Sequence, residues 1–133
     1  MRNLILGLGI VAVTAGAAWA KPPLRDVRVV DDAVFDVAVA DKIRKQCPEI
    51  SARVVKALSL YRSVRKTARN MGYSDDEIEA YGDSKTEKER MRAKGEAYLR
   101  AQGVVAGNAQ SYCAVGRKEI QKASRIGSLL RAK

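Results

Sequence analysis

Cys47 and Cys113 are the only two cysteines in this 133-residue chain, and the compartment they occupy constrains the fold more than any other feature. Residues 1–20 carry the three parts of an export signal. Arg2 precedes an apolar stretch from Leu4 to Ala18, and Ala18-Trp19-Ala20 forms a small-x-small cleavage site. Lys21-Pro22-Pro23 then opens the mature chain. The stretch is short and contains glycines, which suits a cleaved leader better than a spanning helix of about 20 apolar residues. No cysteine lies near the cleavage site to accept a lipid. Export would place both thiols in an oxidising periplasm, where a lone, widely spaced pair forms one disulfide. For a loop this long the chain-entropy gain is about 4 kcal/mol, less any native strain. A redox-active pair would want Cys-x-x-Cys spacing or a neighbour that lowers a thiol pKa, and neither cysteine has one.

Residues 21–133 are enough for a single helical domain and too few for two. The only tryptophan, Trp19, lies in the leader, so Tyr, Leu, Ile, Val and Ala do the packing with Phe35 as the sole Phe. Lys21 to Val30 reads as an extended arm, with Val27, Val29 and Val30 among charges; nothing else in the chain reads as β. Asp31 or Asp32 can cap a first helix to about Gln46. Phe35, Val39, Ile43 and Cys47 recur every four residues on one stripe of it. Pro48 is suited to start a second helix, running to about Met71. Ile50, Val54, Ala57, Leu58, Tyr61, Val64 and Ala68 form its broad apolar face, and Gly72 ends it.

Ser74-Asp75-Asp76-Glu77 is a capping box, with Tyr73 and Ile78 placed as its hydrophobic staple, for a short helix ending near Gly82. Ser84-Lys85-Thr86-Glu87 is a second box, for a helix to about Gln102 with Met91, Gly95, Tyr98 and Leu99 on its apolar stripe. After a loop, Asn108 caps a final helix running nearly to the C-terminus. Tyr112, Cys113, Gly116, Ile120, Ala123, Gly127 and Leu130 should face inward there, and Arg117, Gln121, Arg125 and Ser128 outward. The expected fold is all-α: a compact bundle of four to five helices with an extended N-terminal arm. One disulfide staples the end of the first helix to the start of the last.

The chain contains no His. That removes the commonest general base and metal ligand, and every Ser-His or Cys-His nucleophile. No catalytic, cofactor-binding or metal-ligating residue is expected. Gly7-Leu8-Gly9 belongs to the leader and carries no nucleotide-binding meaning. Asp75, Asp76, Glu77, Glu79, Asp83, Glu87 and Glu89 cluster in first helical turns, where the helix dipole favours anions. The enzymatic alternative is a carboxylate-only hydrolase acting on cell-wall sugars.

Charge is the remaining signal, at a formal net +10. The second helix carries Arg53, Lys56, Arg62, Arg65, Lys66 and Arg69, and the last helix is also basic. Arg62, Arg65, Lys66 and Arg69 fall at i, i+3, i+4 and i+7, along one edge beside the apolar face. Such an edge suits an acidic protein or an anionic membrane surface. Nucleic acid would fit the charge, but an exported protein rarely meets it. The expected role is a periplasmic, non-enzymatic interaction protein.

Several segments carry a resemblance: Cys47-Pro48, Ile50-Ser51-Ala52-Arg53, Gly72 to Ile78, Arg90 to Leu99, and Tyr112 to Arg117. Through them the chain resembles a family of small exported alphaproteobacterial proteins classed as a domain of unknown function. The resemblance covers nearly the whole mature chain, and Cys47 and Cys113 match the family's two cysteines. It supplies no catalytic residue to carry over. Family members are encoded in places near subunits of the respiratory NADH dehydrogenase, which implies an accessory factor of a respiratory membrane complex as a further alternative.

Intact-mass measurement of the exported product should show a chain beginning at Lys21. A product that retains Met1 to Ala20 and fractionates with membranes would overturn the leader assignment.

Overall fold

A computed structural model describes residues 20–133, so the leader read up to Trp19 lies outside the described residues. Six helices and two short strands follow in chain order. They are α1 (Arg28–Gln46), β1 (Ile50–Ala52), α2 (Val54–Asn70), α3 (Asp75–Asp83) and α4 (Lys85–Ala101). After these come α5 (Ala109–Gln121), α6 (Arg125–Ser128) and β2 (Leu130–Ala132). α1 is the central element and packs against α2, α4, α5 and α6.

The disulfide joins Cys47, just past the end of α1, to Cys113 in the second turn of α5, with Cα atoms 5.1 Å apart. Both cysteines are fully buried, together with Val39, Ile43, Ile50 and Leu99. Gly116, one turn on from Cys113, lets Ile43 and Ile50 lie directly against α5; a Cβ there would collide with both side chains.

Several expected boundaries move, each for a packing reason. The arm expected to run extended to Val30 is irregular only to Pro23. A 3₁₀ turn follows at Leu24–Asp26, and α1 begins at Arg28. Leu24, Val27 and Val30 recur every three residues and are buried with Ala68 and Tyr73, so helical spacing wins over strand-like alternation. Asp31 therefore sits inside α1, not at its cap, and is buried. Pro48 starts a turn and no helix. Ile50, Ser51 and Ala52 instead pair antiparallel with Ala132, Arg131 and Leu130. The C-terminus is thereby pinned beside the disulfide, by tertiary pairing that local propensity does not encode. α3 and α4 match the reading closely: Ser74 and Glu77 complete a reciprocal capping box, and Ser84 accepts the Glu87 N–H. Gly72 and Gly103 take the positive φ values, +92° and +100°, that end α2 and α4.

The last helix is two helices. Ala123 adopts φ +50°, and Ser124 re-caps the chain for α6 by accepting the Gly127 N–H at 2.9 Å. α6 thus folds back on α5, and a Cβ at Gly127 would meet the Glu119 carbonyl and not an opposing helix. Ala123, expected inside, is exposed; Val115 and Glu119 are buried in its place. Arg125, expected on the wet face, pairs with buried Asp36 at 2.6 Å.

Four buried acids hold the helices in register. Asp31 receives Arg90, Lys94 (3.2 Å) and Tyr81 (3.0 Å), tying α1 to α4 and α3. Glu87 pairs with Arg25 and with Arg90 at 2.7 Å. Glu119 accepts Tyr98 at 2.8 Å and the Ser124 hydroxyl. Burial would raise the Asp31 carboxyl, but its hydrogen bonds from Arg90, Tyr81 and Lys94 outweigh that and hold it below its ordinary value. At Asp36 burial wins over Arg125, and the carboxyl is raised.

Two measurements test this packing. Cys113→Ala should lower the melting temperature sharply, with about 4 kcal/mol as the upper figure from loop entropy; free thiols on non-reducing mass analysis would remove the cross-link itself. Gly127→Ala should cost at least about 2 kcal/mol because it meets backbone. Gly95→Ala should be neutral or stabilising by up to about 1 kcal/mol, through helix propensity, since its Cβ would find only Val39 at 3.4 Å. Equal denaturation midpoints for the two glycine variants would refute the α5–α6 contact.

Candidate docking surface

α2 contains five cations and no acid in 17 residues. Its apolar face is only partly used by the fold: Ala68 is its one buried residue. Ala57, Leu60 and Val64 are partly buried against the rest of the molecule. Val54, Val55, Leu58 and Tyr61 remain 62%, 82%, 49% and 53% exposed. The expectation that Val54, Leu58 and Tyr61 fill the core is therefore corrected. Since α2 starts at Val54 and not Pro48, its inward sector is centred on Ala57, Leu60, Val64 and Ala68, and the others turn outward.

Grooves run along this exposed face. Between α1 and α2, Val37, Ala40 and Arg44 face Val54, Leu58 and Leu129 around about 390 Å³. The line continues as a smaller apolar recess of about 200 Å³ among Val34, Val37, Leu60, Tyr61 and Val64. On the other flank of α2, a cleft of about 450 Å³ is lined by Asp36, Lys56, Ser59, Ser63 and Arg125, among others.

The four-residue basic edge divides into two pairs. Arg65 and Arg69 are held by α3: Arg69 Nε lies 2.6 Å from Asp75 Oδ1, and Arg65 Nη2 lies 2.9 Å from Glu79 Oε1 and 3.1 Å from Asp75. Arg65 also donates to the Tyr61 hydroxyl at 2.8 Å. Its guanidinium is held above its ordinary pKa by Glu79, then Tyr61 and Asp75. Asp75 is correspondingly lowered, chiefly by the hydrogen bond from Arg69. Arg62 and Lys66 are exposed and make no ion pair among the described residues. Of the four, only Arg62 and Lys66 are thus left without an internal ion pair among the described residues. The sequence displayed Val55 and Val37 but gave no sign that they stand exposed, because that depends on which side of α2 meets α1.

Most of the seven acids expected at helix starts bind neighbouring elements or cap their own helix. Asp75 and Glu79 bind α2, Glu77 caps α3 and binds Lys21 at 2.9 Å, and Glu87 is bound by two arginines. Cys47, Glu49 and Cys113 lie close enough together to suggest a metal site, but both sulfurs are committed to the disulfide and offer no thiolate.

The chain matches the family of unknown function DUF5333 over residues 22–131. It belongs to that family. No curated protein and no solved structure matches it significantly.

Charge reversal should separate the two pairs. Arg65→Glu should loosen the α2–α3 contact and lower the melting temperature, whereas Arg62→Glu should leave it within about 0.5 kcal/mol of wild type. The Arg69–Asp75 contribution carries a definite sign. Asp75 is lowered on folding, so the stabilisation is present above its ordinary value of 3.8 and is lost as the pH falls through the lowered value. Equal melting temperatures for the two variants at neutral pH would show that the α2–α3 ion pairs do not hold α2.

Proposed function

We propose that the protein is an exported, periplasmic, non-enzymatic helical module that docks an anionic partner surface through α2. One observation carries the reading: a helix without acids leaves four large apolar side chains outside the core, next to two unpaired cations. Monomeric soluble proteins seldom leave a contiguous apolar face uncovered, and such faces mark contact sites. The basic rim favours a negatively charged partner. Arg62 and Lys66 supply attraction, and Val54, Val55, Leu58 and Tyr61 supply the area whose burial holds the contact. The leader read from the sequence supports this compartment, and a buried disulfide suits it.

The test is co-sedimentation of the exported protein with the membrane fraction of its own cells across a salt series. Wild type should pellet at low salt and be released as the Debye length shortens from about 10 Å at 0.1 M to about 3 Å at 1 M. The double variant Arg62→Glu, Lys66→Glu should be retained several-fold less at low salt. Equal retention of both proteins, or of neither, would overturn α2 as the docking face.

A further inference from the structure

Resting on that docking reading, we infer that the surface α2 meets is an anionic lipid bilayer, on which the helix lies with Val54, Val55, Leu58 and Tyr61 in the headgroup boundary. A basic amphipathic helix is the sequence form of a membrane-surface binder, and here the fold leaves its apolar residues uncovered. Val55, the most exposed of the four, lines neither of the two recesses between α1 and α2, which suits a broad soft surface better than the pocketed face of a folded partner. Tyr61 presents an apolar ring with a polar tip bound to Arg65, the form of side chain enriched where lipid meets water. Arg62 and Lys66, one to two turns beyond Leu58, are placed to reach lipid phosphates.

Charge also selects against a second copy of this chain. A second copy would bring the same acid-free basic helix against itself, in a chain of net charge +10. The α3 acids nearest to α2, Asp75 and Glu79, are already neutralised by Arg65 and Arg69 and repel the headgroups less for it. No described helix is long and apolar enough to cross a membrane, so the contact is a helix lying on the surface.

The absence of tryptophan beyond Trp19 makes the test local. In a Trp19→Phe background, Leu58→Trp is the sole tryptophan however the leader is processed. Vesicles of phosphatidylglycerol with phosphatidylethanolamine should shift its emission to the blue, and brominated acyl chains should quench it. Phosphatidylcholine vesicles should do neither. Adding Arg62→Gln and Lys66→Gln should weaken vesicle binding about thirtyfold, the weight of two cations near a charged surface. No shift with anionic vesicles at low salt, or an equal shift with phosphatidylcholine, would overturn the proposal. A shift without vesicles that grows with protein concentration would do so too, by showing that a second copy covers the face. Retention on native membranes without any vesicle response would leave the docking reading standing, assign it to a protein partner and overturn the bilayer. Loss of both signals would remove both readings.

Discussion

The buried cross-link between Cys47 and Cys113 is the contact on which the remaining architecture depends. It joins the end of the longest helix to the second turn of α5, at a point where Ile43, Ile50, Val39 and Leu99 are all excluded from solvent. Gly116 makes this possible by removing a side chain where Ile43 and Ile50 must lie. Immediately beyond Cys47 the chain turns, and Ile50–Ala52 pairs with Leu130–Ala132, so the C-terminal strand lies beside the cross-link. A chain that buries a limited core gains most from a cross-link placed there, because the loop it removes from the unfolded ensemble spans 66 positions.

Around that centre the helices are keyed by buried acids, each with its own donors. Asp31 joins α1 to α3 and α4, Asp36 joins α1 to α6, and Glu119 joins α5 to α4 and to the α5–α6 corner. No buried side-chain polar atom among the described residues lacks a partner. The opposite pKa directions of Asp31 and Asp36 show how donors balance against burial and, at Asp36, also against the neighbouring Asp32 and Glu119 charges. Three donors outweigh burial at the first, and one arginine does not at the second. Part of the basic character of the chain is used here: Arg25, Arg90, Lys94 and Arg125 serve internal carboxylates.

α2 stands apart from this economy. It touches the bundle through Ala57, Leu60, Val64 and Ala68, and α3 holds its C-terminal half by ion pairs. Its N-terminal half carries the exposed apolar side chains and leads directly into Arg62 and Lys66. The cations of one helix thus divide into a pair bound to α3 and a pair left without an ion pair among the described residues, and the division follows from where the α3 acids reach. Sequence spacing grouped Arg62, Arg65, Lys66 and Arg69 on one edge, but spacing describes a helix in isolation and says nothing of the neighbour that occupies two of its residues.

What the sequence alone determined is what local chemistry determines. The caps at Ser74, Ser84 and Asn108, the glycine stops at Gly72 and Gly103, the inward stripe from Val39 to Cys47 and the pairing of the two cysteines all depend on residues within a turn of one another or on there being no third thiol. Tertiary structure decided everything that requires two distant segments to meet. It converted Ile50–Ala52 into a strand because the C-terminus arrived beside it, and it broke the final helix at Ala123 so that Gly127 could lie on the Glu119 carbonyl. It also chose which half of the amphipathic face of α2 would be covered. Hydrophobic spacing defines a stripe, but the width of that stripe left bare is set by the shape of what packs against it, and here the bare part adjoins Arg62 and Lys66.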